Sequence, residues 1–269
     1  MIVPVLDGVR LVAVALVAGL GATVNSIAGG GTLLTFPALV ALGVPSLTAN
    51  ATNTVALAPG ALTSMIGYRS RLVGLQRWAT IFAIPSTLGG ITGALLLLWT
   101  PADRFSRIVP WLVLGATALF GLQGPVMRHV REARGETGAA AHDGLAFVPR
   151  HSVSALGYQF LVGVYGGYFG AGIGILMLAV LGFLGLTDIH RMNGLKNWGG
   201  FCINFVAALM FAFSGLVDWG VALAMTAGAM VGGYLASRVA QRVPQVLVRR
   251  TIVGIGVAAG LWLLWAPLE

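Results

Sequence analysis

The 269-residue sequence is short of charge, short of acid and nearly free of cysteine. Charged residues make up 9% of it and hydrophobic residues 57%, at a mean hydropathy of +0.89. A soluble domain carries about 25% charged side chains, so this chain cannot cover itself with a hydrated surface. Its composition is that of an all-α polytopic membrane protein. The lone cysteine, Cys202, excludes an internal disulfide, and no Cys/His cluster has metal-ligand spacing. There is no Gly-Lys-Ser/Thr element to cradle ATP, and no Ser/His/Asp constellation for an intramembrane enzyme. The reading is therefore no enzyme, no cofactor and no metal. No Asp or Glu lies deep in an apolar run; Asp188 and Asp218 sit at run ends. A cation transporter or proton pump usually carries a buried carboxylate, so its absence favours a small anionic substrate.

What charge there is leans basic: 16 Lys+Arg against 8 Asp+Glu, a net +8. No basic run is interleaved with aromatics, so nucleic acid is not the expected partner. Arginine in the loops of a membrane protein faces the cytoplasm and the anionic lipid bilayer. Residues 1–28 do not read as a cleavable signal peptide, because the apolar run continues past any small-residue site.

Crossing the hydrocarbon core takes about 20 helical residues. From Leu11 to Tyr68 there is no charged residue, a run of 58, which fits three traverses or one hairpin plus one pass. Single passes are expected at 78–102 and 108–127, and a polar linker follows. The second half repeats the plan: 151–187 is free of Asp, Glu, Lys and Arg, then come passes at 197–217, 219–237 and 246–267. The expected organisation is a first transmembrane repeat (1–127), a cytoplasmic linker loop (128–150) and a second repeat (151–269).

The halves match weakly at an offset of 143: Ala28 falls on Ala171, Gly29 on Gly172, Gly31 on Gly174, Asn50 on Asn193, and Pro101 on Pro244. An internal duplication accounts for the shared order. Four simple crossings per half would scatter the arginines over both faces. A Gly-broken helical hairpin plus three transmembrane helices per half gives odd parity, hence inverted repeats. Thirteen basic residues then share one side with three on the other, the cytoplasmic bias expected of loops. Both termini are then outside the cytoplasm.

The break is written as "NSIAGGGTLLTF". Three glycines at membrane depth free backbone N–H and C=O groups, which lipid cannot satisfy. Such backbone survives where protein or a water-filled cavity surrounds it, as at transporter sites. The competing reading is close packing of small residues. Gly89/Gly93, Gly228/Gly232 and Gly256/Gly260 have that packing spacing. For Gly29, Gly30 and Gly31, and for Gly172 and Gly174 in "YFGAGIG", both readings stand. Candidate substrate-binding residues around the first break are Asn25, Ser26, Asn50, Thr52 and Asn53. Asn50 and Asn53 share a helix face, although Asn50 or Thr48 could instead cap the helix. Around the second break they are Tyr168, Asn193, Lys196 and Asn197. Lys196 is the only lysine, against 15 arginines. It is either an interfacial side chain reaching for water or a cation facing the cavity. His190 is either a loop residue or a proton-coupling group. Tyr165 and Tyr168 are hydrogen-bond donors or interfacial aromatics.

These same residues carry a resemblance. The glycine break, Pro37-Ala38-Leu39, the turn at Gly43, Ala51-Thr52-Asn53 and the exit Tyr68-Arg69 resemble the first repeat of the sulfite exporter TauE/SafE family of membrane permeases. "GAGIGILMLAVLGFLGLTDIHRMNGLKN" is similar to the second repeat. The sequence departs from the family pattern after Lys196, where Gly199-Gly200 stands in place of an Asn, with Asn204 further on. The resemblance spans both halves. It implies a secondary permease of the bacterial inner membrane for sulfite or an organosulfonate such as sulfoacetate. A passive anion channel and a non-transporting assembly partner are the alternatives, and the chain could form a homo-oligomer.

Overall fold

The computed structural model describes residues 7–27, 29–68, 72–132, 152–183, 186, 188–239 and 245–265. Among the described residues the regular structure is helical, in ten helices. The first five are α1 (Gly8–Ile27), α2 (Thr32–Ala41), α3 (Ser46–Tyr68), α4 (Gln76–Trp99) and α5 (Ala102–Glu132). The second five are α6 (Ser152–Tyr168), α7 (Ile173–Phe183), α8 (Ile189–Ala212), α9 (Trp219–Val239) and α10 (Gln245–Trp265). Each half is thus a long helix, a glycine break, a short helix and three longer ones. The charge-free run to Tyr68 holds a hairpin and one pass.

The first break has a local cause. Gly29 takes φ +84°, a left-handed conformation open chiefly to glycine, and its N–H closes the end of α1 on Val24 O and Asn25 O at 3.2 and 3.0 Å. The chain then doubles back, with Gly31 against the Gly21 carbonyl and Thr35 beside Gly21. At the second break, Gly170 and Gly172 take φ +80° and +77°, and Gly170 N–H bonds to Tyr165 O at 3.1 Å. Gly29 and Gly172, matched at the offset of 143, share the same unusual conformation.

Packing repeats as well. α1 packs on α9 as α6 packs on α4; α3 packs on α9 as α8 packs on α4. α3 and α8 pack on each other, and so do α5 and α10. The three glycine pairs with packing spacing are all helix contacts. A methyl group on Gly228 or Gly232 would strike the carbonyl of Ala15 or Gly19 on α1. On Gly89 it would meet Phe160 O and Gly163, and on Gly93 Val164 O. On Gly256 and Gly260 it would meet Thr117 and Leu114. Lipid gives helices no hydrophobic reason to associate, so close backbone approach does it. Gly232→Ala should therefore destabilise the folded protein by about 1–3 kcal/mol. Gly254→Ala, with no atom within 4 Å of the added carbon, should not lower the melting temperature. Thermal unfolding of the two purified variants checks the contrast.

Among the described residues, five helices are long and apolar enough to cross a membrane by length and composition: α1, α4, α5, α8 and α10. Their outward faces carry exposed Leu16 and Leu20, Trp111, Leu209, Trp262 and Trp265, a surface suited to lipid. α3 is absent from that set. It carries buried Asn50, Thr52, Asn53, Thr54 and Ser64, and α1, α8 and α9 pack around it.

Two boundaries differ from expectation. α8 begins at Ile189 rather than 197, because residues 192–197 are buried in protein, which tolerates Asn193, Lys196 and Asn197 there. α5 continues to Glu132, inside the stretch expected to be linker. The rest of that linker, Ala28, and the basic exit Arg69 and Arg71 lie outside the described residues.

Candidate binding site

The two breaks meet. A carbon added at Gly29 would lie 2.8 Å from Gly174 Cα, so the tip of one hairpin rests on the start of the short helix of the other. Gly30 lies against the Phe120 ring of α5, and Gly31 against α1 itself. Beside this junction stands Lys196. It is two turns inside α8 and only 3% exposed, which removes the interfacial alternative. Its Nζ donates to Ser26 O at 3.2 Å. That carbonyl is available because α1 ends one residue later, where the last turn of a helix leaves its carbonyls without intrahelical partners.

A recess with about 370 Å³ of empty volume, part of it open to the outside, lies against these groups. Asn25, Ser26, Gly29, Gly174, Lys196 and Asn197 line it. Sequence reasoning missed the others: Ala61 and Ser64 from α3, Ile173 and Met177 from α7, and Gly200, Phe201 and Asn204 from α8. No Asp or Glu is among the lining residues. Asp218 is used elsewhere, its Oδ1 accepting from Val221 N at the start of α9. The Ser26 hydroxyl and the Asn197 Nδ2 are buried with no hydrogen-bond partner in the protein. The N-terminus of α7 also ends here, adding partial positive charge. An ammonium, an amide N–H₂, a hydroxyl and a helix N-terminus form a donor set without a compensating acid. Such a set is complementary to an oxyanion.

The family model for the sulfite exporter TauE/SafE matches residues 12–263. The chain belongs to the sulfite exporter TauE/SafE family. Its relatives include the probable membrane transporter protein YfcA of Escherichia coli (strain K12), 32% identical across 98% of this chain and 92% of that protein. The probable membrane transporter protein ORF9 of Sinorhizobium sp is 30% identical across 91% of this chain and 88% of its own. A probable membrane transporter protein of Haemophilus influenzae (strain ATCC 51907 / DSM 11121 / KW20 / Rd) is 29% identical across 91% of both. No solved structure matches.

Not every expected site residue of this TauE/SafE chain reaches the recess. Gly30, Gly31, Asn50, Thr52, Asn53, Tyr168, Gly172 and Asn193 are not among its lining residues. Asn50 is in the interior of α3 rather than capping it, and its Nδ2 donates to Tyr168 O at 2.9 Å. Thr52 Oγ1 accepts from Asp218 N at 3.0 Å, tying α3 to the start of α9. Tyr168 leans its ring edge on Phe105, with its hydroxyl 3.3 Å from Thr100 Oγ1. Tyr165 clasps the second break, donating to Ala171 O at 2.8 Å. Asn193 is buried in α8, one turn before Lys196, with its Oδ1 unpaired. The side chain of His190 lies outside the described residues. Of the candidates Asn53 and Lys196, the recess collects only Lys196. Lys196 lies at the first break, whereas the α3 turn holding Asn50 and Asn53 abuts the second.

Proposed function

We propose that this chain is a secondary permease that moves a small sulfur-containing anion, sulfite or an organosulfonate such as sulfoacetate, across the bacterial inner membrane by alternating access. The observation that carries the proposal is Lys196: a buried cation with no acid in its recess, at the junction of two helix breaks. The anion would sit between Lys196, Asn197 and Ser26, facing the N-terminus of α7.

The contact registers support inverted repeats. Along α1 and α9, Ala15 meets Gly228 and Gly19 meets Gly232, so the two helices run in the same direction. Along α3 and α9, Thr52 pairs with Asp218 and Gly60 with Ala229 and Gly233, again in the same direction. α4 and α6 also run together, Gly89 meeting Gly163 and Gly93 meeting Val164. α8 runs along α4, Trp198 meeting Ala79 and Ile203 meeting Gly90, and against α3, whose Ser64 shares the recess with Lys196 while its Thr52 meets Asp218 beyond the end of α8. Counterparts α1 and α6 then point opposite ways, as do α4 and α9. Halves related in this manner can exchange inward and outward states by rocking about the fixed junction. The bias of basic residues then sets both termini outside the cytoplasm.

Reconstituted proteoliposomes test the reading. Preloaded unlabelled sulfite or sulfoacetate should accelerate entry of the labelled anion, with saturation. A fast flux linear in concentration would replace the permease with a passive anion channel. No flux and no anion-dependent thermal shift would replace it with a non-transporting assembly partner.

A further inference from the structure

We propose that the side-chain oxygens of Asn50 and Asn53 form a second site, for a small monovalent cation of the Na⁺ type, at the second helix break. The starting observation is a mismatch between the halves. At the offset of 143, Asn193 of α8 corresponds to Asn50 of α3, and Lys196 to Asn53. α3 and α8 are counterpart helices packed on one another. Where α8 sets a lysine beside the first break, α3 sets neutral amides beside the second.

Those amides are buried and incompletely used. Asn50 is 0% exposed and Asn53 1%. Tyr168 O can only accept, so the hydrogen bond at 2.9 Å fixes which end of the Asn50 amide is the nitrogen. Its Oδ1 is then turned away, and it has no partner in the protein. The Oδ1 of Asn53, one turn further on, has none either. Buried acceptors without donors are rare in folded proteins and point to a missing partner. The two atoms left over are both oxygens, a set suited to a cation. The recess at Lys196, by contrast, leaves a hydroxyl and an amide nitrogen unpaired. The interrupted backbone at 169–172, next to Tyr168, brings further carbonyls into the same neighbourhood, as unwound helices do at transporter ion sites.

Neutral oxygens select the charge class. Ca²⁺ and Mg²⁺ sites are built with carboxylates, and Asn50 and Asn53 bring none. A single positive charge corresponds to the ammonium that α8 supplies at the matched position. One half thus carries a built-in cation and the other an exchangeable one. If the permease reading holds, the pair gives a means of coupling, with an anion at Lys196 and a cation across the junction. The cation site itself does not depend on that reading.

The test uses the full-length purified protein in detergent, at constant chloride and ionic strength, with NaCl replacing choline chloride. The melting temperature should rise saturably with Na⁺ and not with K⁺. In Asn53→Ala the half-saturating Na⁺ concentration should increase at least tenfold. In Asn53→Asp, which keeps the shape and adds charge, it should fall. Lys196→Met should titrate with Na⁺ as the unmodified protein does. Identical melting in Na⁺ and choline, an equal response to K⁺, or an unshifted titration in Asn53→Asp would each overturn the proposal. A sulfite or sulfoacetate shift measured in choline reports on the anion reading separately, so either site can fail alone.

Discussion

Lys196→Met is expected to weaken saturable anion uptake and anion-dependent stabilisation sharply, while raising the melting temperature of the anion-free protein. The two effects share one cause. Lys196 is a buried charge that donates to a neutral carbonyl, Ser26 O, and no acid lines its recess. Keeping it desolvated costs folding energy, which the thioether of similar length does not incur. The gain in stability is on the order of 1 kcal/mol. The same charge is the only full positive charge lining the anion recess. Removing one member of a desolvated charge pair weakens binding by about 100-fold, roughly 2.7 kcal/mol. In the unmodified protein, anion at about 100 times Kd stabilises by about 2.7 kcal/mol; in Lys196→Met the same anion concentration stabilises by only about 0.4 kcal/mol. A variant that lost both stability and uptake would assign Lys196 a structural role instead.

The second large effect is at Gly29. Gly29→Ala destabilises the protein by about 2–5 kcal/mol, the sum of two costs. Placing an L-residue at φ +84° costs about 1–2 kcal/mol. The new methyl would lie 2.8 Å from Gly174 Cα, a backbone atom that cannot swing aside, and overpacking of this kind costs about 1–3 kcal/mol. Relief comes only by parting the two hairpin tips, so anion affinity falls along with stability. Gly200→Ala is the contrast. Gly200 lines the same recess but is inside α8 with nothing within 4 Å of an added carbon. It should gain up to about 1 kcal/mol from helix propensity while changing anion affinity only by narrowing the recess. Melting curves of both variants, with and without sulfite, separate the cases.

These glycines show what sequence reading could and could not reach. Charge-free stretches have a physical length, and a run ending at Tyr68 could be divided only in a few ways. The hairpin, the break at Gly29 and the glycine contacts of α9 and α10 followed from that and from small-residue spacing. The start of α8 did not. Hydropathy reports contact with lipid, and residues 192–197 of α8 are buried in protein, so Asn193, Lys196 and Asn197 imitate a loop. The same ambiguity kept the interfacial reading of Lys196 open beside the cavity-facing one. Ser64 of α3 was out of reach for another reason. It enters the recess only because α3 and α8 cross there, and spacing along one helix carries no record of a partner. A Ser buried beyond the polar start of α3 was the only available hint. Asn53 and Lys196 occupy matched positions at the offset of 143, yet Lys196 lies at the first break while the α3 turn of Asn50 and Asn53 abuts the second.

The central claim is that an oxyanion binds beside Lys196 where the two breaks meet. Selenite, a heavier analogue of sulfite, makes this visible. Anomalous diffraction at the selenium edge, from crystals of the full-length protein soaked in selenite, should give a peak within hydrogen-bonding distance of Lys196 Nζ, between Ser26 and Asn197, that disappears in Lys196→Met. A peak elsewhere, or one that survives the substitution, would contradict the account.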